Sequence, residues 1–255
     1  MSTKISWTDE TWNPIVGCSK VSAGCANCYA ETMARRLKGM GLPQYQDAVD
    51  EHGWTGIIGI APREVWEKPL KWRKPRRVFV GSMTDLFHEN MPDWFIERVF
   101  TEMAVAGRHT FQVLTKRAER MRRNRLGLFA RTLPNVWLGV TAENQQTADE
   151  RIPYLLRTPA AAVRFVSVEP MLGPLKIHRY ALGGLITTDP LSQVIIGCES
   201  GPKRRPCNIE WVRGLVQQCQ STGVPVFVKQ LDIDGRVSHD PTEWPADLRV
   251  REYPK

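Results

Sequence analysis

The chain has 255 residues, of which 42% are hydrophobic and 24% charged, a balance typical of a soluble globular protein with one substantial core. Lys and Arg number 35 against 27 Asp and Glu, and the net charge of +8 favours polyanionic partners. No stretch is apolar for long enough to cross a bilayer and the first residues contain no apolar signal segment, so we expect a cytoplasmic protein without a membrane partner.

The first feature along the chain is a cysteine motif near the start. Cys18, Cys25 and Cys28 have the spacing Cys-x6-Cys-x2-Cys, and Tyr29 follows directly. Three thiolates with no fourth cysteine nearby predict an iron–sulfur cluster that leaves one iron open to another ligand. Structural zinc is an alternative, although the next histidine is His52. The third alternative is a site without metal, in which the cysteines could form disulfides. Intracellular chains seldom depend on disulfides.

Two poorly patterned or basic segments follow. Residues 36–71 are rich in glycine and show little periodicity, so we expect a lid or recognition arm on an otherwise single domain spanning residues 1–255. Residues 66–77 interleave cations with Trp66 and Trp72, and residues 116–125 form a second basic cluster. Cations beside exposed aromatic rings suit a nucleic-acid strand, whereas a solvated basic face is the simpler alternative.

The remaining elements alternate between strands and helices. Runs of β-branched and aromatic residues predict strands at 77–81, 110–114, 136–140, 163–168, 194–197 and 224–228. Amphipathic stretches predict helices at 93–106, 117–125, 147–156 and 208–222. Because the strands lack clean alternation, they are expected to be covered on both faces, as in a parallel sheet. The pattern therefore predicts an α/β fold.

Polar clusters follow most of the predicted strands. The carboxyl ends of parallel strands meet on one face, so these clusters predict a single large pocket. Any one cluster on its own is equally well explained as a helix N-cap. The candidate pocket residues are Ser82, Asp85, Lys116, Thr141, Glu143, Ser167, Glu169, Cys198, Glu199 and Lys229.

The cysteine motif, its aromatic neighbour and the polar strand ends together resemble the radical S-adenosylmethionine superfamily. Segments WTDETWNP (7–14), GCANCYAE (24–31), SVEPMLGP (167–174) and ESGP (199–202) more closely resemble the phage-associated three-cysteine-motif proteins, and the pattern is similar to that of spore photoproduct lyase. The resemblance implies a partial (β/α) barrel of mostly parallel strands with an iron–sulfur cluster loop near the N-terminus. One departure is the first cysteine spacing, which is six residues here and three in the commonest motif.

The resemblance also implies a function. Such an enzyme binds a [4Fe-4S] cluster through Cys18, Cys25 and Cys28, takes electrons from a reducing donor and generates a 5′-deoxyadenosyl radical from S-adenosyl-L-methionine. The substrate is open, with nucleic acid or a nucleotide among the candidates. The other function class is a noncatalytic nucleic-acid-binding protein of phage or mobile-element origin, containing zinc or an iron–sulfur cluster.

Positions along the βα series imply roles for the strand ends. Ser82 and Asp85 match the place where relatives hold the methionine ammonium, and Thr141, Glu143 and Ser167 match the ribose site. Glu199 lies where relatives approach the adenine, and Glu169 is a further cofactor candidate. Glu143 and Glu169 are equally well explained as partners of Lys or Arg in the interior, because buried carboxylates are usually paired.

The remaining candidates concern the substrate. Lys116 and Lys229 could meet a phosphate or a carboxylate of the substrate. Cys198 ends a strand and could donate a hydrogen atom to a substrate radical, but a lone cysteine there is more often a small core residue. Cys207 and Cys219 carry no functional signal.

Overall fold

The protein is described by a computed structural model that covers residue 3 and residues 5–123, 133–158, 162–178, 181–183 and 190–254. Its main sheet has eight strands, which are parallel to their neighbours except for the antiparallel last pair. In sheet order the strands are β1 (Glu10–Trp12), β4 (Arg77–Val80), β5 (Thr110–Thr115), β6 (Val136–Thr141), β7 (Val163–Val168), β8 (Gln193–Gly197), β9 (Val226–Ile233) and β10 (Arg236–Ser238). A separate pair consists of β2 (Ile15–Val16) and β3 (Gly59–Ile60).

Helices lie between most consecutive strands of the main sheet, and the largest apolar cluster draws on both. In the described part of the chain the helices are α1 (Tyr29–Gly39), α2 (Arg63–Trp66), α3 (Lys68–Lys71), α4 (Asp93–Val105), α5 (Ala118–Arg123), α6 (Gln145–Arg157) and α7 (Ile209–Gln220). Asparagine side chains cap two of them, because Asn144 accepts from the Thr147 amide and Asn208 from the Glu210 amide. Polar residues at these positions therefore begin helices.

Trp7 shows how strongly the sheet is curved. Its ring centroid lies 4.8 Å from that of Phe79 on β4 and 6.1 Å from that of Phe165 on β7. Two strands, β5 and β6, separate β4 from β7 in the sheet. One side chain can contact both only if the sheet curls around it. The observed architecture is an α/β fold consistent with a partial barrel, whose edge strands are β1 and β10.

The predicted α/β class and its mostly parallel sheet are confirmed, and most predicted strands agree with the observed ones within one residue. The last predicted strand, 224–228, begins at Val226 instead and continues to Ile233. Its first two positions precede the strand, because the Val224 amide donates to the Cys219 carbonyl and Pro225 has no amide hydrogen. Of the predicted helix 117–125, residues 118–123 are helical, and 124 and 125 lie outside the described residues.

The expected arm at residues 36–71 contains short regular elements and contributes to a core of its own. Ile15 on β2 pairs with Ile60 on β3, and a small cluster joins Ala34 of α1 to Tyr45 and Val49. The segment therefore packs beside the cysteine motif. Among the described helices, none combines the length and the apolar character needed to cross a membrane.

Candidate active site

The cysteine loop, residues 17–28, connects β2 to α1 and carries all three cysteines as free thiols. Cys25 ends a short 3-10 turn, Ala23–Cys25, and Cys28 is the N-cap residue of α1. The loop begins at Gly17, whose φ of +106° and approach to the Ile57 carbonyl leave no room for a Cβ atom. The Gly56 amide donates to the Cys18 carbonyl, so residues 56 and 57 support the loop from the arm.

A cavity of about 410 Å³ lies at the carboxyl ends of the strands, and all three cysteines line it. Its apolar wall includes Ile5, Trp7, Phe79 and Leu114. The predicted pocket residues in its lining are Ser82, Asp85, Lys116, Thr141, Ser167, Glu169, Cys198, Glu199 and Lys229. The structure therefore brings the strand ends and the cysteine loop to one cavity. Glu143 is buried outside this lining.

The Asp85 carboxylate, expected beside a methionine ammonium, is fully occupied by protein donors. One oxygen accepts from the Thr115 hydroxyl at 2.6 Å and the Phe87 amide at 3.0 Å. The other accepts from the Lys116 amide at 3.0 Å and from Arg117 at 3.2 Å. Asp85 thus positions Arg117 at the end of β5.

Arg117 connects the strand ends to the first cysteine. Its Nη1 lies 3.8 Å from the Cys18 Sγ, and its Nη2 donates to the Ser19 hydroxyl at 2.7 Å. Its Nε donates to Glu89 at 2.5 Å, and this contact lowers the pKa of Glu89 to about 2. Burial and the Asp85 charge raise the pKa of the Cys18 thiol to about 12, although Arg117 acts in the opposite direction.

Glu143 holds the middle of the loop. Its Oε1 accepts from the Ser22 hydroxyl at 2.6 Å, and its two oxygens pair with Arg151 at 3.0 Å and Lys116 at 3.4 Å. Burial acts to raise the pKa of Glu143, but the charges of Lys116 and Arg151 outweigh it and hold the pKa below its ordinary value. Gly24 packs against this carboxylate.

Glu199 holds the last part of the loop. The Asn27 side chain, between Cys25 and Cys28, donates to its Oε2 at 3.0 Å. Arg205 donates to the same oxygen through its amide at 2.7 Å and its Nε at 2.9 Å, and its Nη2 reaches the other oxygen. Burial opposes ionisation, yet the bonds from Arg205 and Asn27 keep the pKa of Glu199 below its usual range.

The three carboxylates therefore fasten the cysteine loop to the ends of different strands. Asp85 acts through Arg117 at β5, Glu143 through Ser22 after β6, and Glu199 through Asn27 after β8. The sequence predicts a cofactor contact for each of these carboxylates, whereas in the structure each accepts hydrogen bonds from protein groups. Sequence reasoning missed Ser22, Asn27 and Arg117. The sequence signals that could have identified them are the positions of Ser22 and Asn27 inside the cysteine motif and of Arg117 directly after Lys116.

Of the three hydroxyl-bearing residues predicted for the pocket, two have a hydroxyl that remains available in the cavity. Thr141 and Ser167 are paired neighbours at the ends of β6 and β7, and both are buried in the cavity wall. Within the described residues, neither hydroxyl has a hydrogen-bond partner. Ser82 differs, because its hydroxyl exchanges hydrogen bonds with the Asn13 side chain at 3.0 and 3.2 Å.

Glu169 and Lys229 form an ion pair across β8. A Cβ atom on Gly197 would lie 3.4 Å from the Glu169 side chain, which is ordinary van der Waals contact, so the pair does not require a glycine there. Cys198, also in the wall, is 1% exposed, and burial raises its pKa to about 12. Cys207 and Cys219 are buried in the main core.

The first basic segment differs from its expected form. Trp66 is not exposed, because it packs between Trp12 and Phe95 with ring centroids 6.3 and 5.1 Å away. Arg76 pairs with Glu10 at 2.6 Å. The segment also leads into the amino end of β4, whereas the cavity lies at the carboxyl ends.

Two other exposed cations, Arg122 and Lys203, follow cavity-lining residues in the chain. Arg122 is exposed on α5, the helix that begins directly after Arg117 of the cavity wall. Lys203 is exposed beside the loop, where its carbonyl accepts from Asn27 at 2.8 Å. We call Arg122 and Lys203 the rim cations.

No three His, Cys, Asp or Glu side chains in the described part of the chain are arranged to hold a single metal ion. A multi-iron cluster makes a different demand, because each thiolate then binds a separate iron. Three free thiols on one cavity wall match such a cluster in the kind and number of their donors.

Fold and site together define an α/β protein whose three-cysteine loop covers a cavity at the carboxyl ends of a parallel sheet. The chain belongs to the DUF5131 family, described as "Protein of unknown function", which matches residues 2–241. Among curated proteins, none matches the chain. The fold is similar to that of a spore photoproduct lyase variant with bound AdoMet and dinucleoside spore photoproduct, at 12% identity and a TM-score of 0.45. The match covers 95% of this chain and 66% of that one, so the chain spans slightly less than two thirds of that protein.

Proposed function

We propose that the protein is a radical S-adenosylmethionine enzyme in which Cys18, Cys25 and Cys28 hold a [4Fe-4S] cluster. The observation that carries the proposal is that the cysteine loop and the strand ends line the same cavity. A cluster at the loop and a cofactor over the strand ends would then be neighbours. The reaction also requires a reducing electron donor, and its substrate is open.

The donor set supports a cluster with one iron free. Cys18, Cys25 and Cys28 lie together on the loop between β2 and α1. Cys198, the fourth cysteine of the cavity lining, lies directly after β8 instead. Three thiolates are the ligand number that leaves one iron free. When bound, the cluster and S-adenosylmethionine supply radical chemistry that no amino-acid side chain provides.

The chain's own residues would bind the cofactor and exclude water. The unpartnered hydroxyls of Thr141 and Ser167 can hydrogen-bond a ribose, and the apolar wall at Trp7, Phe79 and Leu114 keeps the region dry. Lys116, Arg117 and Lys229 are each paired with a carboxylate. The cavity therefore suits a ligand of small net charge rather than a polyphosphate.

The test is anaerobic purification and reconstitution, followed by iron, sulfide and 5′-deoxyadenosine analysis. We expect about four irons per chain and cofactor cleavage after reduction. Cys18→Ala, Cys25→Ala and Cys28→Ala should each lose the iron, whereas Cys219→Ala, in the buried core, should keep it. A wild-type chain that takes up no iron, or a Cys18→Ala variant with full iron and turnover, would contradict the proposal.

A second candidate function is a noncatalytic, metal-containing nucleic-acid-binding protein. The rim cations favour it, because exposed positive charges attract a phosphate backbone. The two candidates are separated by the same preparation. A colourless protein with one zinc that binds oligonucleotides supports the binder, and a brown protein that cleaves S-adenosylmethionine supports the enzyme.

A further inference from the structure

Arg117 is the one cation in the described part of the chain that contacts a cysteine of the loop. Its side chain is 8% exposed, and its five contacts engage all three guanidinium nitrogens. They run to Asp85 at 3.2 Å, Glu89 at 2.5 Å, the Ser19 hydroxyl at 2.7 Å, the Ser19 carbonyl at 3.3 Å and Cys18 at 3.8 Å.

The contact is asymmetric among the three cysteines. Cys25 has a neutral neighbour, the Ser22 hydroxyl at 3.8 Å, and Cys28 is the N-cap residue of α1. A positive charge fixed at one of three thiolates acts on the metal centre in two ways. It offers a hydrogen bond to that sulfur and it offsets negative charge, and both raise the reduction potential of an iron–sulfur cluster.

We propose that Arg117 is a positioning residue that holds Cys18 and raises the reduction potential of the cluster bound by the loop. This inference rests on the proposed function, because it requires a cluster at Cys18. It adds a residue from outside the cysteine motif, brought to the loop by the end of β5. Asp85 and Glu89 fix the direction of the guanidinium.

Three substitutions separate charge from geometry. Arg117→Met removes both, so we expect less iron per chain and a lower midpoint potential for the cluster that remains. Arg117→Lys keeps the charge but loses the planar fork, so its potential should lie nearer the wild-type value. Glu89→Gln removes a neighbouring negative charge while Asp85 still holds Arg117, and the potential should rise. Arg120→Met is the matched control, because Arg120 contacts Met91 and Asp93 instead.

The measurements are iron content, spectroelectrochemical midpoint potential, and amide exchange of residues 17–28 in the metal-free protein. Amide exchange reports any loosening of the loop separately from the potential. A bound cluster with the same potential in Arg117→Met as in wild type would overturn the inference and leave the proposed function standing, even if exchange increased. Wild-type protein without iron would overturn both. A lowered potential in Arg117→Met, largely restored in Arg117→Lys and unchanged in Arg120→Met, is the expected result.

Discussion

Gly24 occupies a position in the cysteine loop where no other residue fits. A Cβ atom there would lie 2.4 Å from a Glu143 oxygen and 2.5 Å from its Cγ. Glu143 cannot retreat easily, because Ser22, Lys116 and Arg151 hold both of its oxygens. The smallest side chain would therefore push the loop away from the end of β6.

We accordingly expect Gly24→Ala to destabilise the loop, with a cost of about 1–3 kcal/mol typical of overpacking, and to reduce iron uptake to a small fraction of the wild-type amount. Iron content after reconstitution and chemical denaturation measure the two effects. Gly39→Ala is the control, since nothing lies within 4 Å of its Cβ position at the end of α1. Full iron in Gly24→Ala would show that the Glu143 contact does not constrain the loop.

Glu143 itself should make stability depend on pH. Its folded-state pKa is below the ordinary value of 4.5, so its contribution is present above that value and is lost as the pH falls through the folded-state pKa. Glu143→Gln leaves Arg151 unpaired and should cost about 3–5 kcal/mol at pH 7. The loss of unfolding free energy between pH 7 and pH 4 should be smaller in this variant than in wild type. Equal losses would contradict the depressed pKa.

At the scale of elements, the cysteine loop is an irregular segment held by the ends of regular ones. Asn27 provides its last attachment, through hydrogen bonds to Glu199 and the Lys203 carbonyl. We expect Asn27→Ala to cost about 1.5–3 kcal/mol, as for a hydrogen bond to a charged group, and to speed amide exchange at residues 25–28. Gln46→Ala is the control, because Gln46 bonds to Lys38 and Leu42 on the exposed surface. Equal exchange in both variants would argue against the attachment.

Strands β4 to β9 of the main sheet were readable from the sequence, while β1, β10 and the elements around the loop were not. Strands β4 to β8 are buried runs of β-branched and aromatic residues, which give a strong local signal. Strand β1 has three residues, too few for a periodic pattern. Helix α1 buries Ala30 and Ala34, small residues that leave a weak apolar stripe.

At the scale of the whole molecule, the topology predicted where the cavity lies but not which side chains pair with one another there. Strand ends of a parallel sheet meet on one face whatever their side chains are, so the convergence could be expected. Which side chains pair with one another depends on how residues far apart in the sequence are brought together. Asp85 meets Arg117, 32 positions later, and Glu199 meets Asn27, 172 positions earlier. A local sequence pattern cannot show that residues so far apart in the chain are partners.

The molecule's charge distribution leads to the last prediction. Residues 68–77 lie toward the amino end of β4, whereas the rim cations Arg122 and Lys203 follow cavity-lining residues at the carboxyl ends of the strands. If a nucleic acid approaches the cavity, Arg122→Glu with Lys203→Glu should weaken binding of a single-stranded oligonucleotide more than Arg73→Glu with Lys74→Glu. The two double variants change the net charge equally, so a general charge effect cancels between them.

Affinity measured across a salt series tests this difference. Each lost phosphate contact should reduce the slope of log affinity against log salt by about 0.7 for a single strand, and only the rim variant should show the reduction. Equal slopes in the two variants would place the contact elsewhere. No binding by the wild-type protein at low salt would instead favour a small-molecule substrate, which suits a cavity where Lys116, Arg117 and Lys229 are already paired with carboxylates.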